Sequence, residues 1–294
     1  MSQFVRYADA SSRDQIRNMW KTVFGDPENY MDLYFERKYR DQNTLAYFID
    51  DKVVSSLQML HYNFTFCNIE IPIAYIAGVC TLPEYRKKGY MGELINQALK
   101  ELSKKNIPLA ILVPQEDWLL DYYKQYGFAQ TFDAGTEELP SIKELIHRNS
   151  MDLEAAYRVF DEKYRHWDMT VQKTFQDFID IVDEATLFDF TPKKNLRGMA
   201  RIIDAEKLLL HFVTAHPEKA FNLSVIDELL PMNNAGFMCH MGHVEKNPSH
   251  SAKFTEVNIQ LLAQLLLGYQ TAELDVEFRL TFPQKKPQIN YMLE

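Results

Sequence analysis

Residues 74–105 read AYIAGVCTLPEYRKKGYMGELINQALKELSKK, and the rest of the chain arranges itself around them. An apolar run at 74–80 is followed by a turn at Pro83, the basic string Arg86-Lys87-Lys88, and Gly89. Met91, Leu94, Ile95, Ala98, Leu99 and Leu102 then recur at spacings of three and four, which places them on one face of a helix. Lys104 and Lys105 suit its C-terminal end, where the helix dipole is negative. Gly89 and Gly92 fall in its first turn, where the backbone N–H groups lack helical acceptors and a missing side chain lets a bulky group come close. With three cations beside them, those donors form a site for an anion such as a diphosphate. The apolar run 108–113 (PLAILV) predicts a second strand, joined to the first by the helix in a right-handed parallel unit. Neither a Gly-x-Gly-x-x-Gly nor a Walker pattern is present, so neither a dinucleotide nor ATP is favoured.

The segment Arg86-x-x-Gly89-x-Met91 resembles the pyrophosphate-binding motif of GNAT-superfamily acetyltransferases, with Met91 where a small residue is usual and Gly92 one step later. The longer string, from proline through three basic residues to glycine, is similar to the enhanced-intracellular-survival branch. The resemblance implies acetyl-CoA as co-substrate. It assigns the pantetheine arm to Val79, Cys80 and Thr81, and the diphosphate to Arg86, Lys87, Lys88, Gly89, Tyr90, Met91 and Gly92. Further on, Tyr122-Tyr123-Lys124-Gln125-Tyr126-Gly127-Phe128 resembles the superfamily's Phe-Tyr-x-x-x-Gly-Phe segment. Tyr123 falls on the tyrosine that serves as general acid. The chemistry asks for one, because a CoA thiolate leaving a thioester needs a proton. Tyr122 and Tyr126 read as the apolar face of a short helix.

At 294 residues the chain is long enough for two domains, and 46% hydrophobic with 25% charged content is that of a globular protein. A net charge of -9 argues against a nucleic-acid partner, since phosphate contacts need many clustered cations. No run approaches a membrane span and the N-terminus is no signal peptide, so the expectation is a cytoplasmic protein with no membrane partner. Cys67, Cys80 and Cys239 have no paired spacing, which indicates neither a disulfide framework nor a zinc site. Cys80 reads as a small buried residue rather than a nucleophile. Cys239, His240 and His243 lack a fourth ligand at a recognised spacing, so no metal is expected.

In chain order, a strand at 4–7 precedes helices through Ile16–Val23 and Tyr30–Phe35, followed by strands at 45–49 and 53–62 around the turn Asp50-Asp51-Lys52. A turn and a further β-rich run follow over 63–71. Residues 142–147, 153–167 and 171–185 read as helices, and 255–267 as an amphipathic helix stopped by Gly268. The predicted class is α+β: a GNAT-type mixed sheet flanked by helices over 1–135, a helical connector over 136–195, and a smaller α+β domain over 196–294.

The last segment resembles the sterol-carrier-like domain of the same family. The matching pieces are Arg201-Ile202-Ile203-Asp204, Val225-Ile226-Asp227 with Pro231 to Gly236, and a terminal Phe282-Pro283 with Pro287 and Tyr291. A connector of about 60 residues is too short for the second acetyltransferase-like unit that the branch carries there. The family's C-terminal carboxylate acts as base on the acceptor amine, which here implies Glu294. The expected function is therefore acetyl transfer from acetyl-CoA to a primary amine, small-molecule or peptide, in a ternary complex. The alternative is a non-catalytic sensor of acyl-CoA or lipid, and transfer of a longer acyl group also stays open. Relatives form symmetric oligomers, so a homo-oligomer is left open as well.

Overall fold

A computed structural model describes residues 2–248 and 253–293. The chain opens with β1 (Gln3–Tyr7), α1 (Arg13–Phe24), α2 (Glu28–Arg37) and β2 (Thr44–Ile49), then the long hairpin β3 (Lys52–Phe66) and β4 (Ile69–Thr81). The hairpin turns on Cys67 and Asn68, both at positive φ (51° and 63°), the backbone that a two-residue turn between twisted strands demands. The expected break near Asn63 is absent, because Asn63 to Phe66 stay paired with Pro72 to Ile69. After β4 come α3 (Tyr90–Lys104), β5 (Leu109–Leu112), α4 (Trp118–Lys124) and β6 (Ala129–Phe132).

The middle of the chain holds α5 (Ile142–Arg148), α6 (Leu153–Arg165), β7 (Thr170–Gln172) and α7 (Phe175–Leu187). The helix expected from 171 begins instead at Phe175. Thr170 to Gln172 are extended, pairing with Thr65 to Asn63. The chain then forms β8 (Gly198–Ile202), α8 (Ala205–Ala215), β9 (Phe221–Ile226), β10 (Ala235–His240), β11 (His243–Lys246), β12 (Thr255–Asn258), α9 (Ile259–Leu267) and α10 (Val276–Thr281). Thr255 to Asn258, expected as the first turn of a helix, pair in parallel with Leu223 to Ile226, and Asn258 caps the helix through Leu261 N–H.

Two sheets result. The larger runs β1-β2-β3-β4-β5-β8-β6, with β7 on the free length of β3; the smaller runs β11-β10-β9-β12. β8, expected with the C-terminal domain, lies between β5 and β6 and pairs antiparallel with both. The larger sheet has a core on each face. α3 covers one with Leu94, Ile95, Ala98, Leu99 and Leu102, all buried, each large side chain contributing roughly 1.5–3 kcal/mol. α1, α2, α6 and α7 cover the other, and the core there is continuous with that of the smaller sheet. Gln264 Nε2 on α9 donates to the Gln130 carbonyl on β6, and Tyr269 Oη donates to Asp133 at 2.6 Å, so the two sheets share walls.

The C-terminal tail is threaded between these parts. Gln288 N–H donates to the Met169 carbonyl, Leu196 N–H to the Ile289 carbonyl, and the Tyr291 hydroxyl to the Pro140 carbonyl. Lys173, 4% exposed, gives Nζ to Val171 O and Asn290 Oδ1, both at 3.3 Å. The nearby carboxylates Asp177 and Asp180 are held instead by Lys38 (2.6 and 2.8 Å). Burial with only neutral acceptors pushes the Lys173 pKa down to about 7.

This sets a pH dependence of stability. Above pH 7 the folded chain holds Lys173 neutral, whereas the unfolded chain keeps it protonated until its ordinary value of 10.5. The unfolded state therefore binds more protons, and stability rises with pH. The rise is cleanest between about pH 7 and 8; toward pH 9, the ordinary value of a thiol, the unfolded chain starts to ionise Cys67, Cys80 and Cys239, which folding holds protonated by raising each to about 12, and these act in the opposite sense. Urea melts should show a gain approaching about 1.4 kcal/mol per pH unit, absent in Lys173→Met. An equal slope in the variant removes Lys173 as its source.

Candidate active site

The site grows from a discontinuity in β4. Gln58 pairs with Ala77 and Ser56 with Cys80, so two residues of β4, Gly78 and Val79, face the single Leu57 of β3. The extra residue is a β-bulge. Gly78 sits there at φ +57°, and a Cβ on it would lie 2.6 Å from the Trp20 ring and 2.9 Å from Gln58 Nε2. On its other edge β4 pairs with β5 only from Ile73 to Tyr75. Beyond Tyr75 the two strands diverge and open a cleft.

One wall of the cleft is formed by Gly78, Val79, Val113, Leu119 and Tyr123, the other by Trp20, Phe24, Asp26 and Tyr34. Its cavity volume is about 180 Å³, enough for a thioester carbonyl and the head of an acceptor but not for a whole cofactor. Asp26 accepts from Trp20 Nε1 at 2.6 Å, and Gln58 Oε1 accepts from the Tyr34 hydroxyl at 3.3 Å. Among the described residues Gln58 Nε2 is a buried donor without a partner, next to the bulge. Leu293 of the threaded tail also lines this cleft. Glu294 lies outside the described residues.

Tyr123 comes from the buried face of α4 and packs edge-on against Phe128, ring centroids 5.9 Å apart. Burial, aided by the neighbouring Cys80, pushes its phenol pKa upward, so its hydroxyl carries a proton throughout the neutral range. Cys80 is itself buried, its thiol 3.6 Å from Ser56 Oγ and raised to about 12, which leaves it inert as a nucleophile.

The turn that ends α4 is braced from below. Gly127 has φ +81°, and a Cβ there would lie 2.6 Å from Arg201 Nε. Arg201, on β8, is fully buried; its Nε donates to the Tyr126 carbonyl at 2.9 Å and its Nη2 to Asp227 Oδ1 at 2.7 Å. Asp227 also accepts from Leu229 N–H, Leu230 N–H and Asn233 Nδ2. The Arg201 and Asp227 segments singled out in the sequence thus meet in one network beneath Tyr123.

The loop expected to hold a diphosphate follows β4. A single 3₁₀ turn at Pro83–Tyr85 leads to Lys87 (φ 60°) and Gly89 (φ 88°), which starts α3 in the left-handed region. Among the described residues, its chain neighbours aside, nothing lies within 4 Å of the position a Cβ would take on Gly89. Arg86, Lys87 and Lys88 are exposed; Arg86 Nε returns to the Thr81 carbonyl at 3.2 Å and Lys88 Nζ lies over the Tyr85 ring. Tyr90 packs its ring at a tilt against Tyr47 and Tyr85, and the Met91 side chain packs against the α3-side core. That is how the motif accommodates methionine. Gly92 has a different reason: a Cβ would lie 2.6 Å from the Tyr126 hydroxyl.

Open space at Gly89, first-turn N–H groups, three cations and an unpaired strand edge that leads inward to Tyr123 fit a diphosphate carrying an extended thioester arm. Residues 4–131 match the family model for the acetyltransferase (GNAT) domain, and residues 206–277 that for the sterol carrier protein domain. The chain carries a GNAT acetyltransferase domain and a sterol-carrier-protein-like domain.

Solved structures resemble the GNAT and sterol-carrier-like parts together. A conserved protein of Enterococcus faecalis V583 described as a probable N-acyltransferase shares 16% identity, covering 98% of this chain and 99% of its own, at a TM-score of 0.65. A GCN5-related N-acetyltransferase from Anabaena variabilis shares 17%, over 97% and 98%, at 0.67. Eis1 from Mycobacterium abscessus shares 12%, over 99% and 100%, at 0.64. At these identities the likeness is one of fold. No curated protein matches the chain.

Sequence reasoning missed the Trp20, Asp26 and Tyr34 wall, Gln58 and the bulge. A glycine inside an apolar strand is the local signal for a bulge, and Gly78 carried it. Among the described residues no helix is long and apolar enough to cross a membrane, and no group of three or more His, Cys, Asp or Glu could hold a metal.

Proposed function

We propose that the GNAT domain is an acetyl-CoA-dependent N-acetyltransferase, of the enhanced-intracellular-survival branch, acting on a primary amine by direct transfer. What carries the reading is the splay of β4 from β5, with Tyr123 at its floor and the N-terminus of α3 at its mouth. The first-turn amides and Arg86, Lys87 and Lys88 hold the diphosphate, and the β4 edge from Val79 to Thr81 aligns the pantetheine arm. Asp26 among the aromatic faces of Trp20, Phe24 and Tyr34 favours an ammonium arriving from the other side.

In the transfer, the amine nitrogen forms its bond to the acetyl carbon as the carbon–sulfur bond breaks. Tyr123 gives its proton to the leaving sulfur. The terminal carboxylate of Glu294 takes the proton from the amine; support for that role is Leu293, its neighbour, seated in the same cleft. Burial raises the proton affinity of Tyr123, and a thiolate leaving beside it loses hydration too, so the proton affinities of donor and acceptor rise together.

Thiol release from acetyl-CoA across a panel of amines tests the reading. Release with at least one amine is expected; CoA binding without release from any amine indicates an acyl-CoA sensor instead. Removing Leu293 and Glu294 should lower kcat by about 10²-fold, the contribution of a positioned base, with acetyl-CoA affinity unchanged. Undiminished kcat strips the tail of its role.

A further inference from the structure

The geometry points to Trp118 as a stacking shelf for the adenine base of coenzyme A, an assignment that rests on the cofactor reading above. Trp118 opens α4 and is 61% exposed, unusual for the largest of aromatic side chains. It does not stand alone. Trp118, Tyr122 and Tyr126 recur every four residues, and their rings pass from one to the next at 6.4 and 5.4 Å in edge-on contacts. The last of them ends at the diphosphate loop, because the Tyr126 hydroxyl occupies the space over Gly92. A continuous line of aromatic surface therefore runs from the first turn of α3 outward to solvent, and Trp118 is its free end.

Charge separates what each end can hold. The inner end has Arg86, Lys87 and Lys88. At the outer end Glu116 accepts from Trp118 Nε1 and Asp117 pairs with Arg197. The Asp117 charge is offset by Arg197, but Glu116 beside the indole repels phosphate and can accept from an amino group. A neutral aromatic base with an exocyclic amine meets both conditions, and adenine is joined to the diphosphate through a single ribose. Stacking of one base on an aromatic side chain weakens about tenfold or more when that side chain is removed.

Two ligands separate the shelf from the rest of the cofactor site: adenosine 3′,5′-bisphosphate, which has the base, and acetyl-pantetheine, which lacks it. Titration calorimetry of the full chain should show Trp118→Ala binding CoA and adenosine 3′,5′-bisphosphate about tenfold more weakly, with the ratio of CoA to acetyl-pantetheine affinity falling by the same factor. Trp118→Phe keeps a stacking face and should retain most of the affinity. It should also abolish the quenching of tryptophan fluorescence that the bisphosphate causes in the parent chain. Equal loss for both ligands, or unchanged affinity in Trp118→Ala, overturns the shelf while leaving the cofactor reading intact; so does an effect confined to the KM of the amine. A parent chain that binds no CoA at all overturns both.

Discussion

Tyr123→Phe is expected to cut kcat for acetyl transfer by 10²- to 10⁴-fold while acetyl-CoA binds as before, because the variant loses one proton donor and nothing else. The phenyl ring keeps its place in the α3-side core and its edge contact with Phe128. Among the described residues the Tyr123 hydroxyl makes no hydrogen bond, so its removal strands no buried donor or acceptor. Thermal stability should stay within the usual ±0.5 kcal/mol of an unobtrusive substitution. The pH profile adds a second check. Tyr123 holds its proton to well above its ordinary range, so the parent's rise in rate with pH reports the amine and its base, and that limb should persist in the variant at reduced height. A thioester with a more acidic thiol, whose leaving group needs no proton, should recover part of the lost rate. Full kcat in the variant on a good amine means that another donor protonates the sulfur.

The sequence made the β4-α3-β5 unit legible because each signal there is local. The run at 74–80 is long enough to be a strand, the six apolar positions on α3 have an unambiguous period, and Gly89 marks the point where the chain needs positive φ. Tyr123 was legible through its spacing to Gly127 and Phe128. What stayed hidden depends on distant pairings. β8 reads as an entry into α8, and nothing in Gly198–Ile202 announces that it inserts between strands about 70 and 90 residues earlier in the chain. β7 is three residues long, too short to display a period of two, and its apolar Val171 merges with the stripe of α7. β12 failed for the same reason ahead of α9. The hold on the tail is hidden for the same reason, since its partners Pro140, Met169, Lys173 and Leu196 are scattered over residues 140–196, far from it in the chain.

The pairing of Arg201 with Asp227 decides whether the two sheets are one cooperative body. Both side chains are at most 1% exposed, and the pair spans the larger sheet and the loop after β9. Burial alone disfavours the Arg201 charge; Asp227 offsets that cost. Arg201→Met leaves Asp227 buried without its cation, at a cost of about 3–5 kcal/mol, and frees the Tyr126 carbonyl. Melting should fall on the order of 10 °C, at roughly 2–4 °C per kcal/mol for chains of this size. The decisive variant is the double one, Arg201→Met with Asp227→Leu. A buried pair exchanged for apolar side chains of similar volume is often neutral, so the double variant should regain much of the lost stability, a non-additivity read directly from the thermodynamic cycle. Its activity should not follow. Arg201 fills the space over Gly127 and holds the turn that closes α4, and without that brace Tyr123 no longer sits at a fixed depth in the cleft. Recovered stability with kcat still depressed and CoA affinity retained identifies Arg201 as a positioning residue for the acid; recovery of both makes the pair a matter of folding alone.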